Sequence, residues 1–330
     1  MTDPSPDAGG TAFALPSLRP PWWARGPHAQ TVLAHLKPSR CATPPWQSLA
    51  LRLPDHDVLK LRVARGSSGT AVYLFHGLGG SVDADYMRRA AALAWERGHS
   101  VVAVNHRGAG EGKGAAAKPY HSGSTSDLST VILMGNGLFP DHRHIAIGFS
   151  ISANMLLLLL GREQHLTLPD AAIAVNPPVD LDACSRRITR GINRIYDLRF
   201  VRMLKRQVRE RVDFGLIPSF PDFPPFADLR DFDAAYTAPQ GGFDSREDYY
   251  AKCSAGPYLG NIETPTLLLT SRDDPFAPAS DVEAWPLGPG VTLHVEARGG
   301  HMGYLDRGAP GKRWLDQALS EGLDFLSHRI

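Results

Sequence analysis

Six short apolar runs separated by helical patterns constrain the fold of this chain more than any other feature. They lie at 71–75, 100–105, 144–148, 171–175, 266–270 and 292–295. Runs of that length, rich in Val, Ile, Leu and Ala and lacking polar alternation, read as strands buried on both faces. Residues 83–97, 124–134 and 313–326 carry helical periodicity, and a further helix starts abruptly at Ser150. Strands separated by helices predict a mostly parallel sheet with helices on both faces. Ahead of the first buried run, 47–53 and 58–64 alternate apolar and polar around Pro54-Asp55-His56-Asp57, which predicts a hairpin.

One interval breaks the rhythm. From Pro177 to about Asp248 the sequence offers no convincing strand, but it carries a basic helical stretch at 186–211 and a Pro/Phe-rich loop at 218–226. Placed between two strands, residues 178–248 are expected to form a helical cap over the sheet edge, within a single domain spanning 1–330. Residues 1–20 are rich in Pro and Gly and lack the basic and apolar segments of a signal peptide. They are expected to form a disordered arm.

Composition removes several function classes. With 43% hydrophobic residues in a chain of 330, a sizeable core is available and global disorder is excluded. A net charge of +1 provides no overall field for nucleic acid. Nine arginines between Arg186 and Arg211 are locally basic, for which a solvated helix face is the simplest expectation. Three cysteines without CxxC spacing suit neither a disulfide framework nor a zinc site. The longest apolar run, Met155–Leu160, falls far short of the roughly 20 residues of a membrane span. A cytoplasmic protein acting on a small molecule, with no metal and no cofactor, is therefore expected. His142 and His144 have no carboxylate at metal-ligand spacing. The Gly-rich stretches fail as nucleotide loops, because Val82 and Lys113 stand where a dinucleotide fingerprint needs glycine.

The chemistry resides in Gly148-Phe149-Ser150-Ile151-Ser152, set between a strand and a helix. Such a turn thrusts the serine hydroxyl outward, and small residues two before and two after let the backbones approach. A serine hydroxyl is a weak nucleophile until an adjacent base takes its proton. Two further groups follow later strands in the order Ser, acid, His: Asp273-Asp274 after 266–270, and His301 after 292–295. The spacing Asp-x-apolar-x-Pro fits Asp274 rather than Asp273, which suits a loop cap better; the alternative stays open. An oxyanion hole requires two backbone N–H groups. Ile151, after the nucleophile, and Leu78, in His76-Gly77-Leu78-Gly79-Gly80, are placed to supply them.

Four segments carry a family likeness: Pro21-Trp22-Trp23 with His28-Ala29-Gln30-Thr31; Asn105-His106-Arg107-Gly108 with Tyr120-His121-Ser122-Gly123 and Asp127-Leu128; a run from Asp233 to Asp274; and Gly299-Gly300-His301. In these the chain resembles the YheT-like branch of the α/β-hydrolases. It departs at Ser152-Ala153, where that branch carries a pair of glycines before Asn154. The resemblance implies an α/β-hydrolase fold and a serine esterase or lipase-like enzyme with Ser150, Asp274 and His301 as its triad. Cap residues Ile192, Ile195, Phe200, Leu216, Ile217 and Phe220 suggest a short to medium acyl chain. Acyl transfer to an alcohol other than water, or binding without turnover, remain competing readings.

Overall fold

The computed structural model describes residues 13–36, 39, 41–308 and 313–330. Its eight strands form one sheet: β1 (Gln47–Arg52), β2 (Val58–Ala64), β3 (Thr70–Phe75), β4 (Ser100–Asn105), β5 (Arg143–Phe149), β6 (Ala171–Val175), β7 (Thr266–Ser271) and β8 (Val291–Glu296). The spatial order is β1-β2-β4-β3-β5-β6-β7-β8. The hairpin β1–β2 is antiparallel, and β2 joins β4 antiparallel; from β4 to β8 every pairing is parallel. This is the α/β-hydrolase fold, a mostly parallel sheet with helices on both faces.

Helices α1 (Pro27–Leu36), α2 (Asp85–Glu96), α3 (Thr125–Leu138) and α4 (Ile151–Arg162) precede β6. Between β6 and β7 the chain makes a helical excursion: α5 (Leu181–Ile188), α6 (Arg194–Asp213), α7 (Leu229–Phe232), a π-helical turn (Asp233–Thr237), α8 (Ala238–Gly241) and α9 (Arg246–Cys253). Helices α10 (Ala279–Glu283) and α11 (Trp314–Ser327) follow.

Alternation along each strand divides the core. On β3, Tyr73 and Phe75 pack with Leu128, Ile132 and the leucines of α4, whereas Val72 and Leu74 pack with Met87 of α2 and Leu319 and Leu323 of α11. Helix α4 is buried from Ile151 through Gly161 and is apolar on every side apart from Ser152 and Asn154 in its first turn, both hydrogen-bonded, as befits a helix covered all round. Among the described residues no helix is long and apolar enough to cross a membrane.

Two expectations need correction. The basic helical stretch is interrupted after Ile188: a short turn, Gly191–Asn193, in which Gly191 takes φ 54°, separates α5 from α6. Glycine adopts that left-handed geometry without a Cβ clash. The expected arm is in place from Phe13 onward. Phe13 meets Phe325 with ring centroids 4.4 Å apart, Leu18 is buried, and Trp314 Nε1 donates to the Pro16 carbonyl. Those apolar side chains find the exposed flank of α11, which outweighs the local Pro content; residues 1–12 lie outside the described residues.

Candidate active site

Strand order reverses at β3: β4 lies on one side of it and β5 on the other. In open parallel sheets the loops at the carboxyl ends of the strands diverge at such a point and leave a crevice. The loop after β3 and the turn after β5 both meet there. Ser150 sits on that turn with φ 55° and ψ −117°, a conformation costing on the order of 1–3 kcal/mol for a residue with a Cβ. It is held by its own N–H, which donates to the Val175 carbonyl (2.8 Å), and by α4, which starts at the next residue.

The loops after β7 and β8 bring the other two groups to Ser150. His301 Nε2 lies 2.9 Å from Ser150 Oγ, and His301 Nδ1 lies 2.7 Å from Asp274 Oδ2. Asp273 does not touch the imidazole; its Oδ1 accepts the Gly300 N–H (2.8 Å) and fixes the loop that carries His301. Asp274 receives every hydrogen bond its carboxylate needs. The Phe276 and Ala277 amides donate to Oδ1 (2.9 and 3.0 Å), and Asn176 Nδ2 donates to Oδ2 (2.8 Å). Burial alone would raise its carboxyl pKa, but the facing His301 and the Phe276 and Ala277 amides hold it below the ordinary carboxylate value.

The glycine-rich loop is equally fixed. Gly77 N–H donates to Tyr86 Oη (2.9 Å), Gly79 N–H to Tyr120 Oη (2.6 Å) and Gly80 N–H to the Gly77 carbonyl (3.0 Å). The amide between them, Leu78, has no such acceptor among the described residues, and Leu78, Ser150, Ile151 and His301 line one cavity. Any side chain at Gly77 would press on Ser150, because a Cβ there would stand 3.2 Å from the serine Cβ.

Ser152, the departure from the likeness noted above, has a defined place. Its Oγ donates to the His76 carbonyl and lies 2.7 Å from His106 Nε2. The His106 N–H in turn reaches His76 Nε2 (3.2 Å), and His76 Nδ1 reaches the Gly77 carbonyl (2.8 Å). These partners settle both tautomers: His76 carries its proton on Nδ1 and His106 on Nε2. Burial brings His76 down to about 4 and His106 well below its ordinary value, so both rings are neutral. The serine hydroxyl thus couples the first turn of α4 to the root of the glycine-rich loop. Ser152→Ala would strand a buried donor and a buried acceptor. A loss of about 1–3 kcal/mol is expected in chemical denaturation, together with a lower kcat at little-changed KM. An unchanged denaturation midpoint would show the bridge to be idle.

The structure also reveals supports that sequence reasoning missed. Thr31 Oγ1 accepts the His301 N–H (2.9 Å), and Gln30 spans the Ala24 and Leu305 carbonyls, so α1 braces the histidine loop. Asn176, at the end of β6 with φ 48°, ties Asp274 to Tyr304, whose Oη donates to Asn176 Oδ1 (2.9 Å). Thr31 and Tyr120 lay inside the motifs that carried the family likeness, but nothing in the sequence showed what they hold. Of the six cap residues expected to face the acyl chain, only Phe200 lines the cavity. Ile192 and Ile195 fall on the outer side of the excursion, at 62% and 67% exposure, while Ile217 and Phe220 pack against Val208, Phe232 and Tyr236.

A family model described as the alpha/beta hydrolase family matches residues 72–312. The chain belongs to the α/β-hydrolase family. YheT of Escherichia coli (strain K12), provisionally named an esterase, is 32% identical over 290 residues that cover 84% of either chain. Human phospholipase ABHD3 is 28% identical over 244 residues, 73% of this chain and 60% of the human one. Among solved structures, Pyrococcus furiosus esterase Pf2001 superposes with a TM-score of 0.57 at 17% identity, over 94% of this chain and 98% of that one. That last likeness is one of fold.

Proposed function

We propose that the protein is a serine hydrolase of carboxylic esters, with Ser150 as nucleophile, His301 as base and Asp274 as its orienting acid. The observation that carries this reading is the unbroken chain Ser150 Oγ–His301–Asp274 opening onto a narrow, mainly apolar cavity of about 100 Å³. The names of the bacterial and human relatives, an esterase and a phospholipase, support ester hydrolysis as the reaction class.

In the first step His301 Nε2 takes the proton of Ser150 as its oxygen attacks the ester carbonyl carbon. The Leu78 and Ile151 amides receive the developing oxyanion, each such donor contributing about 3–4 kcal/mol to lowering the barrier. Asp274 holds the Nδ1 tautomer and stabilises the imidazolium. His301 then returns the proton to the leaving alkoxide, and the alcohol departs. In the second step a water, deprotonated by the same nitrogen, attacks the acyl-serine carbonyl; the acyl–Oγ bond breaks, His301 returns the proton to Ser150, and the acid is released. Phe200, Leu204 and Val208 of α6 line the cavity beside Ser150 and suit a short- to medium-chain, lipid-like acyl group.

The test is labelling with a fluorophosphonate probe, comparing the intact protein with Ser150→Ala, followed by p-nitrophenyl esters of increasing chain length. Labelling and turnover are expected in the first and absent in the second. A folded wild-type protein that neither labels nor hydrolyses any ester of the series would overturn the reading.

A further inference from the structure

Helix α6 has two faces of different character. Its inner stripe, Phe200, Leu204 and Val208, roofs the cavity that contains Ser150. Its outer stripe recurs at helical spacing through Ile195, Leu198, Arg199, Arg202, Arg206 and Arg209, all exposed, with Ile192 and Arg190 in the turn before it. Ile192, Ile195 and Leu198 are 62%, 67% and 44% exposed. The helix's three acidic residues do not neutralise this face near its tip: Asp197 is buried, Glu210 is taken up by Lys113 and Arg206 at the far end, and Asp213 is the helix's last residue. Large β-branched and leucine side chains standing in water between arginines serve no packing purpose in the isolated molecule.

The same end of α6 adjoins the catalytic histidine. Tyr196 stacks edge-on with Phe276 (5.0 Å), which in turn packs on His301 (4.6 Å), and His28 of α1 reaches Tyr196 Oη (3.1 Å). Segment 22–36, which contains α1, adds exposed apolar groups of its own. Of the ten large apolar side chains exposed among the described residues, Trp22, Trp23, Val32 and Leu36 lie there, and three more lie at the tip of α6. The exposed apolar surface is thus concentrated on the two segments that meet at His28 and Tyr196.

The geometry points to an anionic lipid surface as the partner of this face: the apolar tips of α6 enter the interface and the arginines bind headgroup phosphates. This deepens the proposed ester hydrolysis and rests on it only for its purpose, since docking would bring the roof of the cavity against a store of acyl esters. Charge decides between occupants. A second copy of the chain would set arginine against arginine, whereas an anionic bilayer attracts each exposed arginine by about fivefold in partition, and amphipathic apolar groups add insertion.

The experiment is co-sedimentation of the full chain with sucrose-loaded vesicles of phosphatidylcholine alone or with a third phosphatidylglycerol. The Ser150→Ala protein is used so that binding is read without turnover. Strong binding to the anionic vesicles, weak binding to the neutral ones and loss on adding salt are expected. Two combined variants, Ile192→Ser with Ile195→Ser and Leu198→Ser, and Arg190→Gln with Arg199→Gln and Arg202→Gln, should each bind at least tenfold more weakly. In the Ser150 background both should still hydrolyse a short water-soluble ester at the wild-type rate, which verifies their fold. Equal sedimentation of wild type and variants, or none, would overturn the proposal. So would concentration-dependent dimerisation that either variant abolishes, since a second copy would then cover the face. Loss of soluble-ester hydrolysis in the wild type would count against the enzymatic reading and leave the vesicle result standing.

Discussion

Asp274→Asn is expected to lower kcat for ester hydrolysis by about 10⁴-fold, the scale of loss known when an orienting triad aspartate becomes an amide. The reason lies in the partners of this carboxylate. All four groups that face it are donors: two backbone amides on Oδ1, and Asn176 Nδ2 and His301 Nδ1 on Oδ2. An asparagine has a single acceptor oxygen, which the two backbone amides claim. Its amide nitrogen then replaces Oδ2 and confronts the donors on Asn176 and His301. The imidazole can answer only by moving its proton to Nε2, where it faces Ser150 and no longer accepts the hydroxyl proton. Asp273→Asn, altering a group bonded to the Gly300 amide rather than to the imidazole, should cost far less. Comparing both variants by active-site-normalised kcat decides between the aspartates. Equal losses, or an Asp274→Asn enzyme within tenfold of wild type, would remove Asp274 from its assigned role.

The groups proposed for chemistry were legible in the sequence because each sits at the end of a strand that announces itself. Ser150 follows the apolar run of β5, and a strand-to-helix turn leaves its side chain only one direction. His301 and the Asp273–Asp274 pair follow later strands in chain order; a proline spacing favoured Asp274, and the choice between the two aspartates stayed open in the sequence. The sheet was legible for the same reason, since strands buried on both faces leave uninterrupted apolar runs.

What could not be read is whatever depends on partners far apart in sequence. Tyr120 holds Gly79 from 41 residues away, Asn176 holds Asp274 from 98, and Thr31 holds His301 from 270. No local pattern encodes such contacts, because each is a single hydrogen bond made after the sheet has assembled. The excursion over the site was misjudged for a different reason. Apolar content in a helix says how much surface there is to bury and not which side faces the cavity. Ile195 and Phe200 lie five residues apart, about 140° out of phase around the helix, and one stands in solvent while the other lines the pocket. Ser152 illustrates the opposite error. By likeness it stood only as a departure from a glycine position, yet its hydroxyl binds the His76 carbonyl and His106.

The elbow tolerates that serine because the close approach is made at the other small position. A Cβ on Gly148 would stand 2.6 Å from the Ser152 carbonyl oxygen, 2.8 Å from its carbon and 2.9 Å from Ala153 Cα. All three are backbone atoms at the start of α4, and none swings aside as a flexible side chain would. Helix α4 has no free space to retreat into, being buried along nearly its whole length. Gly148→Ala is therefore expected to cost about 3 kcal/mol or more, seen as a Tm lowered by roughly 5–10 °C. The surviving folded fraction should be about 10²-fold less active, because a displacement of Ser150 near 1 Å ruins its alignment with His301. Gly137→Ala gives the control. It lies near the end of α3 with nothing within 4 Å of a built Cβ, so the methyl should add up to about 1 kcal/mol by restricting the unfolded chain. Opposite signs from the same chemical change would separate a steric requirement of the elbow from any general intolerance of glycine replacement. Coincident melting curves for wild type and Gly148→Ala would mean that β5 and α4 have room to part, and that the strain at Ser150 is held by something other than their contact.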